Sequence, residues 1–178
     1  MNLLFISYWG VEEGLTKASV IPHVKILSSY DEITKFYLVS IERESKVHPV
    51  VISEKIHHLP LMSKSGSLKL FGQAIDFIQI PGILTRYCRD LNIDKLLARG
   101  TLAGTIAYKV SIKTKIPFYV ESFEPHADYM METGVWKKKS LKYIQQKKWE
   151  SNQTINASGI MTVAEGYTKN LKIQYPSL

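Results

Sequence analysis

The 178-residue chain is 45% hydrophobic and 22% charged, which suits one globular domain over 1–178 and leaves little room for a second. Its single cysteine, Cys88, excludes an internal disulfide framework and fits a reducing compartment. The net charge of +7 is local: six of the 23 basic residues lie between Lys137 and Lys148, a stretch with no acid, and the other 17 nearly balance the 16 acids.

Met1–Ser7 carries an apolar run without a basic leader and too short for a signal peptide. Leu3–Ser7 reads as a buried strand ended by the turn Tyr8-Trp9-Gly10. A helix is expected from about Ala18 to Ser29, with Pro22 tolerated near its start. Lys35–Ile41 is β-branched and aromatic, hence a strand. Val50–Ile52 and Ile56–Leu61 are shorter strand candidates, the second ended by Pro60. His57 and His58 then point to opposite faces and are expected to be structural. Ser63–Ser67 is a polar loop. Leu68–Leu91 has helical spacing (Phe71, Ala74, Ile75, Ile78, Leu84, Tyr87), which Pro81-Gly82 should split or kink. Lys69, Asp76, Pro81 and Gly82 interrupt Leu68–Leu84, so no membrane span is expected there. Lys95–Ala98 is a strand, Ala103–Lys113 a helix with Ile106, Ala107 and Val110 on one face, and Pro117–Val120 a strand. A lysine-rich helix over Lys137–Asn152, a strand over Gly159–Val163 and a helix over Glu165–Leu171 complete the order.

Strands joined by crossover helices run parallel and need helices on both faces. The expected fold is therefore α/β, a three-layer Rossmann-like domain with a mainly parallel sheet. Ligands of such sheets sit at the carboxyl ends of the strands. After the first strand, Gly10 and Gly14 allow a close-approaching backbone, although Glu12 and Glu13 would repel a pyrophosphate; an ordinary turn is the alternative. After the fourth strand, Arg99-Gly100-Thr101 reads as an anion site at a helix start with Thr101 as cap, or as an arginine paired to a carboxylate beside a small-residue packing helix. Glu121, Glu124, His126 and Asp128 after the fifth strand are the densest chemistry in the chain. They would orient sugar hydroxyls or act as a general base, or form a salt-bridged loop. They lack metal-ligand spacing, so no metal is expected.

On a helix over Lys137–Asn152, the residues Lys138, Lys142, Gln145, Trp149 and Asn152 share a face. That face could rest on an anionic bilayer or be merely solvated. No nucleic-acid motif is present. The sequons at Asn152 and Asn156 mean nothing without secretion, and the expected location is cytoplasmic.

The order of these segments resembles the N-terminal domain of GT-B glycosyltransferases of the family 4-like group. The opening strand and glycine loop match Leu3–Gly14, and the polar turn before a small-residue helix matches Leu97-Ala98-Arg99-Gly100. The acceptor-loop strand matches Ile116–Glu121, the last strand and helix match Ile160–Leu171, and Lys172-Ile173-Gln174-Tyr175-Pro176 resembles the connection to a second domain. Glu124 stands where many members have a histidine, with His126 two residues on, and Ala164 replaces the usual serine.

The resemblance implies an acceptor-side half of a retaining glycosyltransferase. Such an enzyme moves a sugar from a nucleotide-sugar donor to a saccharide or lipid-linked acceptor in cell-envelope or polysaccharide synthesis. It needs no cofactor, and the donor-binding domain lies outside this chain, which alone should turn over no sugar. Glu124 and His126 would be catalytic; Gly10, Gly14, Arg99, Gly100, Thr101 and Glu121 would bind substrate; Lys138, Lys142 and Trp149 would meet the inner face of a membrane. Two alternatives stay open: a non-enzymatic Rossmann-like module for a small anion or saccharide, and a peripheral binder of anionic membranes.

Overall fold

A computed structural model describes residues 1–43, 48–64 and 69–176, without the side chains of 69–71 and 73. Six parallel strands form one sheet in the order β3-β2-β1-β4-β5-β6, with β1 Asn2–Ser7, β2 Lys35–Glu42, β3 Ile56–Met62, β4 Lys95–Arg99, β5 Phe118–Ser122 and β6 Gly159–Thr162. The helices are α1 Ile21–Ser28, α2 Lys69–Asp90, α3 Gly100–Thr114, α4 His126–Glu132, α5 Leu141–Asn156 and α6 Glu165–Gln174. This is the expected three-layer α/β architecture.

Strand alternation divides the core in two, because successive side chains leave opposite faces of a sheet. Leu3, Phe5, Phe36, Leu38 and Leu97 face α1 and pack on Val20, Val24 and Ile33. Leu4, Ile6, Val39, Ile41, Leu96, Ala98, Phe118 and Val120 face the other way, onto Phe77, Ile80 and Leu84 of α2 and Ile106, Ala107 and Val110 of α3. The central strands are buried on both sides, which is why they read as unbroken apolar runs. α3 sits close to the sheet because its inner face is small. A Cβ on Gly104 would come 2.7 Å from the Gln153 amide carbon of α5 and 3.2 Å from Val120.

Several expectations are corrected. Val50–Ile52 is not a strand: Val50 instead donates its N–H to His58 Nδ1 (3.0 Å). Pro60 does not end β3 but pairs with Ser40 inside it. β3 is an edge strand, where a missing N–H on the open side leaves no ladder partner unsatisfied. α2 runs through Pro81-Gly82 as one helix of 22 residues. The first helical stretch starts early, as a π-helical turn over Thr16–Val20 that closes with Ile21 N–H on the Thr16 carbonyl. The change of register falls just before Pro22, which lacks the N–H an unbroken α-helix would use. The lysine-rich helix begins at Leu141, capped by Ser140, so Lys137–Lys139 precede it. α4 occupies what read as a loop. The loop expected over Ser63–Ser67 and the side chain of Phe71 fall partly or wholly outside the described residues. No helix among the described residues is long and apolar enough to cross a membrane.

Candidate functional site

The strand order reverses between β1 and β4, and a crevice outside the carboxyl ends at such a point is where ligands of open parallel sheets bind. Register places Ser40, Ser7, Arg99 and Glu121 in one row at that edge. The same alternation that buries Phe5 and Leu97 turns this row toward α1. Arg99 Nη1 lies 2.8 Å from Glu121 Oε2, and its guanidinium stacks 4.7 Å from the Phe123 ring. Glu121 is only 5% exposed. Its Oε1 lies 2.9 Å from His23 Nδ1 of α1, close enough for an ion pair but off the line of a hydrogen bond. His23 also meets the Phe5 ring edge-on. Arg99 is thus committed to a carboxylate, as a buried guanidinium must be when removed from water, and is not a free anion hook.

The glycine loop is tied to the end of β2. Val11 N–H donates to Glu42 Oε1 (2.9 Å) and Gly10 N–H to Glu13 Oε1 (3.0 Å). Arg43 pairs with Glu13 (3.0 Å), bonds the Tyr8 carbonyl and lies over the Trp9 ring. A Cβ on Gly10 would collide with the Glu42 carboxylate, whereas one on Gly14 meets open space. The Gly10 and Val11 amides are therefore turned onto the protein's own carboxylates.

Beneath it runs a buried relay. Val50 N–H donates to His58 Nδ1, which fixes the proton on Nε2; Nε2–H donates to Ser40 Oγ (2.7 Å), and Ser40 donates to Glu42. Burial pushes the His58 imidazole below its ordinary value, against the pull of Glu42 and Glu12, so the ring is neutral. The serine sits between histidine and carboxylate and gives its proton to the carboxylate. It is a brace and not an activated nucleophile, whose histidine would stand between the other two.

Gly100 opens α3 at φ +77°, and the preceding Arg99 makes no side-chain cap. Thr101 does not cap the helix, contrary to expectation. Its carbonyl accepts from Gln153 Nε2 of α5 (2.8 Å) and from Thr105 Oγ1. Glu124 and His126 pair with each other (Oε1–Nδ1 3.1 Å), half exposed at the start of α4, with Trp136 edge-on to the imidazole. No hydrogen bond or ion pair among the described residues links them to Arg99 and Glu121. Asp128 turns away to α5, accepting from Tyr143 (3.0 Å) and Lys147 (2.9 Å). Beside it Glu150 accepts from Ala127 N–H and Gln146, while burial pushes its carboxyl up. Asp128, Lys147 and Glu150 line a cleft of about 220 Å³ with Tyr167, Asn170 and Tyr175 of the α6 region. No three His, Cys, Asp or Glu among the described residues converge to hold a metal.

Sequence reasoning missed His23 and Glu42. His23 lay inside a helix with no local signal, and Glu42 at a strand end next to a distant glycine. Of the helical face expected to meet a membrane, Lys142, Gln145, Trp149 and Asn152 lie on α5. Lys138 lies before α5, and Trp149 packs on Phe77 of α2, ring centroids 4.6 Å apart.

Solved structures with this architecture include sucrose-phosphate synthase from Thermosynechococcus elongatus (TM-score 0.66, 8% identity, 98% of this chain and 45% of that one). Two others are the lipopolysaccharide outer core galactosyltransferase WaaB (0.60, 12%, 98% and 43%) and UGT2 of Phytolacca americana (0.65, 11%, 99% and 50%). The chain has the fold of a GT-B glycosyltransferase N-terminal domain. At such identities the likeness is one of fold, and the GT-B-like domain spans half or less of each of these three chains. No protein-family model and no curated sequence matches it.

Proposed function

We propose that this GT-B-like domain is the acceptor-side lobe of a retaining glycosyltransferase. It would transfer a sugar from a nucleotide-sugar donor to a saccharide or lipid-linked acceptor in envelope or polysaccharide synthesis. The donor would be held mainly by a second lobe beyond residues 1–178. One observation carries the reading: at the switch point of the sheet, strand ends and loops present carboxylates and imidazoles instead of a phosphate cradle. Glu121, held by Arg99 and His23, and the exposed Glu124–His126 pair offer hydrogen-bond acceptors and a base suited to hydroxyl-rich ligands. In this reading Glu124 and His126 touch the reacting hydroxyl; Arg99, Gly100, Thr101 and Glu121 shape the floor; and Gly10 and Gly14 shape the loop above it.

A small-anion module is less well supported. Arg99 is neutralised by Glu121, and the Gly10 and Val11 amides are engaged by Glu13 and Glu42.

NMR titration of the chain with a panel of neutral oligosaccharides tests the reading. Shifts centred on Phe123–Ala127, weakened at least about fivefold by Glu124→Ala, are expected for a residue making charged hydrogen bonds. No shift with any saccharide, alongside clear shifts with inorganic phosphate, would favour the anion module instead.

A further inference from the structure

The cleft among α4, α5 and α6 adjoins the Glu124–His126 pair without containing it. Pro125, the residue between the two, forms part of its wall, with Glu150 and Ser151 of α5 and Tyr167 and Asn170 of α6. Several wall residues are tied in place. Tyr167 Oη lies 3.1 Å from Ser122 Oγ at the end of β5, Glu150 Oε1 accepts from Ala127 N–H of α4 (2.9 Å), and Tyr175 donates to Ser151 Oγ (3.4 Å). These bonds join three helical segments and a strand end around the space, so the cleft is formed before any ligand enters. Its volume of about 220 Å³ is below the ~300–1,000 Å³ that enclose a whole drug-sized ligand, and suits one ring of a longer molecule.

The lining mixes hydroxyls, amides and carboxylates with two tyrosine rings. A sugar ring needs such a mixture, since each hydroxyl both donates and accepts while the C–H faces of the ring rest on aromatic carbon. The Asn170 and Gln174 side chains are exposed, and among the described residues neither amide makes a hydrogen bond. Charge narrows the class further. Three lining acids, Asp128, Glu132 and Glu150, stand against one base, Lys147, whose ammonium is already held by Asp128 (2.9 Å). That excess of carboxylates repels phosphate, sulfate and hexuronate groups.

We infer that this cleft is a second sugar subsite, which holds the ring next to the one whose hydroxyl meets Glu124 and His126 and admits only rings free of acidic groups. The inference rests on the proposed transfer reading and narrows its acceptor to a glycan of at least two rings. If that glycan is lipid-linked, its phosphates lie away from α5 and α6. A cationic side chain would satisfy the charge alone. The unbonded amides of Asn170 and Gln174 and the two tyrosine rings are what favour a sugar.

NMR titration of the chain with malto-, cello-, manno- and chito-oligosaccharides of one to four units tests it. In at least one series, two units or more should move the amides of Ser151, Thr154, Tyr167 and Asn170 together with those of Phe123–Ala127, at one common midpoint. The gain over a single unit should be at least about tenfold in affinity, the worth of one or two added hydrogen bonds. Asn170→Ala/Gln174→Ala should lower disaccharide affinity at least about fivefold and leave monosaccharide affinity unchanged. Both side chains are exposed, so unchanged circular dichroism is expected. Disaccharides bearing a hexuronate should leave the cleft resonances in place. Shifts at Phe123–Ala127 that never extend to α5 and α6 overturn the subsite and leave the transfer reading standing. Shifts confined to the cleft uphold its sugar binding and overturn the transfer reading of Glu124 and His126 instead. The subsite is equally overturned if the double variant binds disaccharide as tightly as the parent, if hexuronates bind as well as neutral rings, or if the cleft answers to trilysine and to no sugar.

Discussion

At the scale of single residues, two glycines in one loop have different physical burdens. Gly10 has no room for a methyl group, because the Glu42 carboxylate that holds Val11 N–H occupies the space. Gly10→Ala should cost about 1–3 kcal/mol through overpacking against a braced group, read as a lower urea midpoint with an unchanged slope. Gly14→Ala meets nothing and should be neutral or slightly stabilising. Glu121 is the second such residue. Glu121→Gln would leave the Arg99 charge, itself mostly buried, without its counter-ion, a loss of about 2–4 kcal/mol in the same assay. Arg99→Met added to it should recover part of that loss, since the pair would then be removed as a unit. A variant Glu121→Gln as stable as the parent would mean that His23 and Arg99 find other partners.

At the scale of elements, the end of β2 is where a distant histidine, a serine and a carboxylate fasten three segments together. Burial keeps His58 below its ordinary value of 6.5, so on acidification the unfolded chain takes up that proton first. The stability this group contributes is complete above pH 6.5 and is lost as pH falls below it. Urea midpoints should therefore drop between pH 7 and pH 5, and His58→Gln should flatten that slope while lowering stability at pH 7 by about 1–3 kcal/mol through broken buried hydrogen bonds. Trp149 is an element-scale residue of another kind. Its ring joins α5 to Phe77 of α2, and Trp149→Ala should cost about 2–4 kcal/mol as a packing loss. A negligible change in thermal midpoint would contradict that placement.

At the scale of the whole molecule, the alternation of strand and helix made the architecture legible in the sequence. The apolar runs of β1, β2, β4 and β5 are the central strands, covered on both faces, and each crossover helix forces the next strand to be parallel. The carboxyl-edge candidates were legible for the same reason, because strand ends are marked by the change from apolar to polar residues. What escaped were features that depend on neighbours far along the chain. Val50–Ile52 has strand composition, but the Val50 amide is claimed by His58. Pro60 is tolerated because β3 happens to be an edge. Lys137–Lys139 have helical propensity, but Ser140 caps the helix after them.

The order of amino acids therefore determined the parallel sheet, its two-sided cover and the strand ends from which chemistry projects, because these follow from local periodicity and chirality. Which partners meet at those ends was decided by tertiary structure alone. The pairing of Glu121 with both Arg99 and His23, the clasp of Glu42 on the glycine loop, and the turning of Trp149 inward while Leu141 and Ile144 face out all depend on side chains from separate elements. Those meetings are set by sheet register and by how each helix rotates to fill the core, quantities that no stretch of sequence carries by itself.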